Sequence, residues 1–262
     1  MTGKGAVQDH YDTLLARHYV WMMGGWDRTI AQYHRFFSDH AIRPAGNGIA
    51  LDLGAGCGFG SLALAGAGFR VISVDLSQTM LDILEQVATN LPVTTVHSDI
   101  LDFMAGCRDE PELIACLGDT LTHLPDTGSV KRLVHQCSRT LNKGGTFIIS
   151  FRDSSKEPAG STAVIPVQRD ADRIFFCRLD YHDDRIRVTD ILYTRESGRW
   201  ERVSGTYPKL RISPHVVSGM LVREGFQVRT RTVHDGMVTL IGKKGPERPA
   251  GCYNQPVMRP RP

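Results

Sequence analysis

Between Ala50 and Ala65 the chain reads ALDLGAGCGFGSLALA. An apolar run enters a turn with glycine at every second position, Gly54, Gly56, Gly58 and Gly60, and leaves it as SLALA. Few folds use such a passage. Glycine adopts turn conformations closed to other residues and lets a backbone come close to a ligand. A helix that starts directly after the turn presents unpaired N–H groups at its first residues. Strand, glycine turn and helix in that order predict the first unit of an α/β sheet, with a ligand at the carboxyl end of the strand.

The chain continues in the same alternation. RVISVD (70–75), VTTVHSD (93–99), ELIACLG (112–118) and TFIISF (146–151) have the length and β-branched content of buried strands. SQTMLDILEQVATN (77–90) puts Met80, Leu81, Leu84, Val87 and Ala88 on one helical face behind an N-cap serine. A second helix, carrying Val130, Leu133, Val134, Cys137 and Leu141, stops at NKGG. Ser213 and Pro214 open a last helix, Gly225 ends it, and FQVRTRTV and MVTLIGKK follow as a hairpin through HDG (234–236). Right-handed crossovers make such an alternation a parallel sheet covered on both faces. The expected fold class is α/β: a Rossmann-like, mostly parallel sheet of seven strands with an antiparallel terminal hairpin, plus a small antiparallel β insert.

The insert is expected at 156–211, where RIFFCRLDY, IRVTDILYTR and WERVSGTYPKLRI break the alternation. It would serve as a cover for the site or as an oligomer interface. The remaining divisions are an N-terminal helical lid at 1–47, a core at 48–155 and 212–244, and a flexible, proline-rich tail at 245–262. A formal charge of +3 is too small to imply nucleic acid or an acidic membrane as partner, and no run is long and apolar enough to span a bilayer. The first residues lack the apolar segment of a secretion signal, and the six cysteines are not spaced as a metal knuckle or redox pair. The expectation is a cytoplasmic protein with reduced thiols, no metal, and a homodimer or higher oligomer as its assembly. Cys116 and Cys137 are expected in the core.

The glycine spacing bears on the ligand. A dinucleotide fingerprint needs its third glycine at 59, where this chain has Phe59, whose ring would obstruct close helix–strand packing. Asp75 ends the second strand and can chelate two ribose hydroxyls. Asp99 ends the third and can accept from an adenine amine while Ile100 packs on the ring. Either aspartate could instead cap a helix.

LDLGAGCGFG, Asp75, SDI at 98–100 and the terminal hairpin together resemble the class I S-adenosylmethionine-dependent methyltransferases, over residues 48–155 and 212–244. CLGDTLTHLPD followed by NKGGTFIISFRD is similar to the small-molecule branch that includes the glycine N-methyltransferases. The resemblance implies S-adenosylmethionine as cofactor, held by Gly54, Ala55, Gly56, Phe59, Asp75, Leu76, Met80, Asp99, Ile100 and Leu117. It adds Tyr11, Trp21 and Arg28 from the N-terminal segment, Arg28 standing where a relative's arginine binds the methionine carboxylate.

On the acceptor side it implies that Arg152 anchors a substrate carboxylate and that Asp119 and His123 contact the substrate. Asp119 replaces an asparagine, and an anion there would favour a cationic or amine acceptor. Tyr181 of the insert is a further candidate contact. His123, Asp119 and Tyr19 are the candidate catalytic groups, with little need of a base if the acceptor is an amine. The implied reaction is methylation of a small amine, amino-acid-like or carboxylate-bearing. An oxygen or sulfur acceptor, a non-catalytic cofactor-binding subunit and a nicotinamide oxidoreductase stay open as alternatives. The DPPY or NPPY clamp of enzymes that methylate nucleic-acid bases is absent after the fourth strand.

Overall fold

The structure is a computed structural model that describes residues 3–155, 161–234 and 236–245. Strands β1 (Ile49–Leu53), β2 (Arg70–Asp75), β3 (Val93–His97), β4 (Leu113–Cys116) and β5 (Thr146–Arg152) come first. Four insert strands follow: β6 (Thr162–Arg169), β7 (Arg173–Tyr181), β8 (Arg185–Glu196) and β9 (Arg199–Leu210). β10 (Phe226–His234) and β11 (Met237–Lys244) close the described chain.

The main sheet has the order β10-β11-β5-β4-β1-β2-β3, parallel from β3 to β5, with β11 antiparallel to β5 and β10 antiparallel to β11. The expected α/β class and terminal hairpin are both present. The turn signal at 234–236 includes Asp235, which lies outside the described residues, as does the tail from residue 246.

The sheet forms because its strands carry apolar side chains to both faces. All four residues of β4 are buried, and in β5 only Arg152 is exposed. Leu51, Leu53, Ile114, Phe147 and Phe151 are fully enclosed, each contributing about 1.5–3 kcal/mol of transfer free energy. Cys116 and Cys137 lie in the same core, where burial pushes their thiols above the usual range. Polar caps set the helix starts. In α5 (Gln78–Val87) the Ser77 hydroxyl oxygen accepts from the Met80 N–H at 3.2 Å. In α7 (Thr127–Thr140) Asp126 accepts from Ser129 at 2.6 Å, and in α8 (Pro214–Arg223) Ser213 accepts from Val216 at 3.3 Å.

The insert is a separate antiparallel sheet of order β6-β7-β8-β9. Its first strand, TAVIPVQR, is not among the three expected from the sequence. Pro166 reads as a breaker, yet β6 is an edge strand with a register shift between Pro166 and Gln168, where proline is tolerated. One face of the insert carries Phe175, Val188, Leu192 and Tyr207, and packs against Val7, Leu14 and Leu15 of the N-terminal segment. That segment runs as α1 (Gly3–His10), a π-helical turn at Tyr11–Leu15, α2 (Ala16–Met22) and α3 (Trp26–Asp39). Its other contacts are with the main domain: Ala16 packs with Cys57, Phe59 and Met80, and Phe37 with Ala63 and Leu64 of α4 (Phe59–Gly66). The N-terminal helices are thus wedged between the insert and the carboxyl edge of the main sheet.

Candidate active site

In a sheet of this order the crossovers diverge between β1 and β4, which opens a crevice at the carboxyl ends of those strands. A cavity of about 1120 Å³, its open mouth included, lies there. The glycine turn forms one wall. Gly54 has φ +76°, and a Cβ on it would stand 2.2 Å from the Thr120 methyl; the Thr120 hydroxyl itself donates to the Gly54 carbonyl at 3.3 Å. Gly56 has φ +56°, and no atom comes within 4 Å of where its Cβ would be, so its backbone faces open space. Its N–H donates to Asp75 Oδ2 at 2.7 Å, while the Ser77 N–H donates to Asp75 Oδ1 at 2.9 Å. Asp99 caps α6 (Ile100–Gly106), accepting from Leu101 at 2.9 Å, and also lines the cavity with Ile100. The cap and the ligand readings are therefore compatible in one side chain.

Asp52, in the middle of the apolar run IALDL, is a third cavity carboxylate, overlooked among the sequence candidates. It accepts from the Ser61 hydroxyl at 2.7 Å, and Ser73 donates to Ser61 at 2.8 Å. Burial pushes its pKa up to about 6 against that hydrogen bond. Burial raises Asp75 as well, opposed by the N–H groups of Ser77 and Gly56. Among the described residues no lysine or arginine lines the cavity.

The N-terminal segment supplies the opposite wall: Val7, Gln8, Tyr11, Tyr19, Met23 and Tyr33. Three consecutive residues at the π-helical turn tie it to three parts of the molecule. The His10 Nε2–H donates to the buried Asp190 of β8 at 2.8 Å. The Tyr11 hydroxyl lies 3.4 Å from His123 Nε2, and the Ser77 hydroxyl donates to Asp12. Such irregular turns are frequent at functional sites because they aim neighbouring side chains in different directions. Burial, and after it Asp75, holds the Tyr11 hydroxyl well above the usual phenol range.

Residues 117–126 form the remaining wall. Leu117, Gly118, Thr120 and His123 line the cavity; Asp119 does not. Asp119 has φ +78° and is 4% exposed. Its Oδ1 accepts from the Arg152 backbone N–H at 2.9 Å, and its Oδ2 from Lys209 Nζ of β9 at 2.5 Å. Burial alone would raise its pKa, but the Lys209 ammonium prevails and keeps it below the usual carboxylate range. The charge expected to face an acceptor is therefore met by an ion pair behind the wall. His123 is driven down to about 3, first by burial and then by Lys209. Its Nδ1 is buried with no hydrogen-bond partner among the described residues.

The sequence candidates divide between the cavity wall and its surroundings. Tyr11, Tyr19, Gly54, Ala55, Gly56, Phe59, Asp75, Leu76, Asp99, Ile100, Leu117 and His123 all line the cavity. Met80 is fully buried behind Cys57 and Phe59. Trp21 is covered by the Arg173 guanidinium, 4.4 Å from its ring centroid, and joins α2 to the insert. Arg28 is exposed beside Gly24. Arg152 is exposed beside Gly236, and Tyr181 packs under Arg211 at 5.7 Å. None of these five belongs to the cavity wall.

Residues 50–145 match a family described as a methyltransferase domain. A glycine/sarcosine N-methyltransferase of Aphanothece halophytica is 29% identical over 152 residues, covering 55% of this chain and 56% of the relative. A ubiquinone biosynthesis O-methyltransferase of Methylococcus capsulatus is 32% identical over 108 residues, 40% of this chain and 44% of the relative. The chain thus spans about half the length of the curated relatives it matches. The crystal structure of an S-adenosylmethionine-dependent methyltransferase from Clostridium acetobutylicum shares the fold, with a TM-score of 0.70 at 18% identity over 90% of this chain and 96% of that one. The glycine turn, the sheet order and the domain match agree: residues 50–145 carry a methyltransferase domain, in a fold similar to that of the class I S-adenosylmethionine-dependent methyltransferases.

Proposed function

We propose that this protein binds S-adenosylmethionine and moves its methyl group to the nitrogen of a small amine. The observation that carries this reading is the charge of the cavity. Asp52, Asp75 and Asp99 line it, no lysine or arginine does, and His123 is held neutral. Such a wall favours a cationic ligand and disfavours a phosphate-rich one. Phe59, buried against Trp26 at 4.8 Å, fills the place where a pyrophosphate binder needs glycine.

The residues fit the cofactor. Asp75 retains lone pairs for two ribose hydroxyls, Asp99 and Ile100 stand at the next strand end, and the open backbone at Gly56 admits a close ligand. When bound, S-adenosylmethionine would supply a sulfonium methyl group for an amine lone pair, leaving S-adenosylhomocysteine and a methylated ammonium that keeps its proton until it is released. The chain supplies alignment and dryness. Tyr11 and Tyr19 offer aromatic faces to a sulfonium, and the N-terminal helices exclude solvent. His123, too weak a base at its depressed pKa to take a proton near neutrality, serves as a neutral part of the wall, its Nε2 beside the Tyr11 hydroxyl.

Because Arg152 lies outside the wall, the cavity suits an amine that lacks a carboxylate better than an amino acid. The partner in this reading is a small molecule, not nucleic acid or a membrane. The test is methyl transfer from labelled S-adenosylmethionine to matched panels of neutral-bodied amines, amino acids, phenols and thiols. Turnover confined to amines is expected. Turnover confined to phenols or thiols would overturn the choice of nitrogen.

A further inference from the structure

We infer that Lys209, on the last strand of the insert, is a positioning residue of the acceptor site: its ion pair with Asp119 fixes the loop that presents His123. This rests on reading the cavity as a methyl-transfer site. The ion pair joins residues 90 apart in sequence and forms a charged link between β9 and the 117–126 loop. Both partners are largely enclosed, with side-chain exposures of 20% for Lys209 and 6% for Asp119. A buried pair of this kind does not raise stability reliably, but removing one partner leaves an uncompensated charge and disturbs whatever geometry the pair specifies.

Here that geometry is specific. Asp119 holds a left-handed backbone and grips the Arg152 N–H. Its carbonyl accepts from both the N–H and the hydroxyl of Thr122, at 3.1 and 2.8 Å. His123 follows immediately, at the end of a single 3-10 turn, Thr120–His123. β9 reaches the same ring a second time: Tyr207, two residues before Lys209, lies 5.6 Å from the His123 ring. The insert therefore places both a cation and an aromatic ring behind His123, and leaves the imidazole's cavity side to the acceptor.

The cation also bears on the charge of His123. The ring is faced by Tyr11 from the π-helical turn, His10 from α1, Asp190 from β8, Tyr207 and Lys209 from β9, and Asp119 from its own loop. Burial and Lys209 oppose its protonation, whereas Asp119 and Asp190 favour it. With Lys209 removed, Asp119 becomes an unopposed anion near the ring and the imidazole gains a proton more readily.

Three variants test this: Lys209→Met, Lys209→Arg, and Lys209→Met combined with Asp119→Asn. The imidazole nitrogens of His123 are followed by NMR between pH 5 and 8 in samples saturated with S-adenosylhomocysteine, and acceptor kinetics are measured on separate samples with S-adenosylmethionine and the best amine of the panel. The wild-type ring should not titrate in that window. In Lys209→Met it should begin to titrate there, with the acceptor KM raised at least tenfold and the calorimetric affinity for S-adenosylhomocysteine within twofold. Lys209→Arg should restore both readouts, and the uncharged double variant should recover most of the KM. A Lys209→Met protein whose His123 titration and acceptor KM equal those of the wild type would overturn the inference. So would a double variant that folds and binds S-adenosylhomocysteine but is no better than the single one. If no amine turns over in any form, the methyl-transfer reading fails, while the titration and its rescue by arginine still judge the placement of Lys209.

Discussion

The two ends of the cavity are built in opposite ways. The end formed by Gly54, Gly56, Asp75 and Asp99 comes from three successive strand ends within about fifty residues, and its hydrogen bonds are short-range: Asp75 to Gly56 and Ser77, Asp99 to Leu101. The other end is assembled from α1, the π-helical turn, the 117–126 loop and the insert. Its bonds join residues 180, 112 and 90 apart, in His10–Asp190, Tyr11–His123 and Lys209–Asp119. A local site of the first kind is fixed as soon as strand and helix pack. A composite site of the second kind exists only while the N-terminal segment, loop and insert stay docked, and it can be altered without touching the first.

The sharpest way to break the composite end is at Asp190, which is 1% exposed and accepts from both His10 at 2.8 Å and Cys177 at 2.9 Å. Asp190→Ala removes the only carboxylate that His10 meets in an ion pair among the described residues, and a loss of about 3 kcal/mol of stability is expected. Urea unfolding would show it, with cofactor affinity changed less than tenfold. At the local end, Asp75→Ala should have the complementary profile. Losing charge-assisted hydrogen bonds to two ribose hydroxyls should weaken S-adenosylhomocysteine by about 2–3 kcal/mol in calorimetry, while helix content by circular dichroism is kept.

Asp52 sharpens the contrast in another way. Its folded pKa, raised to about 6, lies above the ordinary carboxylate value. The protonated form is thus favoured by the fold, and the stability it contributes is fully present below pH ~4 and lost as pH rises through about 6. Asp52→Asn should therefore stabilise the ligand-free protein, by on the order of 2 kcal/mol at pH 8, with the gain vanishing towards pH 4. The same variant should weaken binding of the cationic cofactor, the trade expected of a charge kept for function. Thermal melting at the two pH values checks the sign. The smallest effect is expected from Arg152→Ala: with the side chain outside the cavity wall, the acceptor KM should stay within twofold.

What could be read from the sequence follows the same division. β-branched runs, glycine stops and serine caps mark the main sheet and its helices because those signals are local, and Asp75 and Asp99 follow from strand ends alone. β6 escaped because Pro166 sits at a bulge on an edge, where its missing N–H does no harm. Asp52 escaped because one carboxylate in an apolar run carries no periodic signal. Lys209, His10 and Asp190 escaped because nothing in a lysine, a histidine or an aspartate announces a partner 90 or 180 residues away. Asp119 was visible as a charge beside the site, but whether it faced an acceptor or a lysine depended on the insert's path across the loop. Arg152 stood at the matching position of a resembling motif, yet the last residue of β5 points its side chain out of the wall.

The central claim is that the edge of Gly54, Gly56, Asp75 and Asp99 holds the adenosine of a sulfonium cofactor. Isothermal calorimetry with S-adenosylmethionine, S-adenosylhomocysteine and NADH, on the wild type and on Asp75→Ala, tests it directly. The account predicts micromolar or tighter binding of both sulfur nucleosides, weakened in Asp75→Ala, and no measurable heat with NADH. Tight NADH binding with neither sulfur nucleoside bound would contradict it.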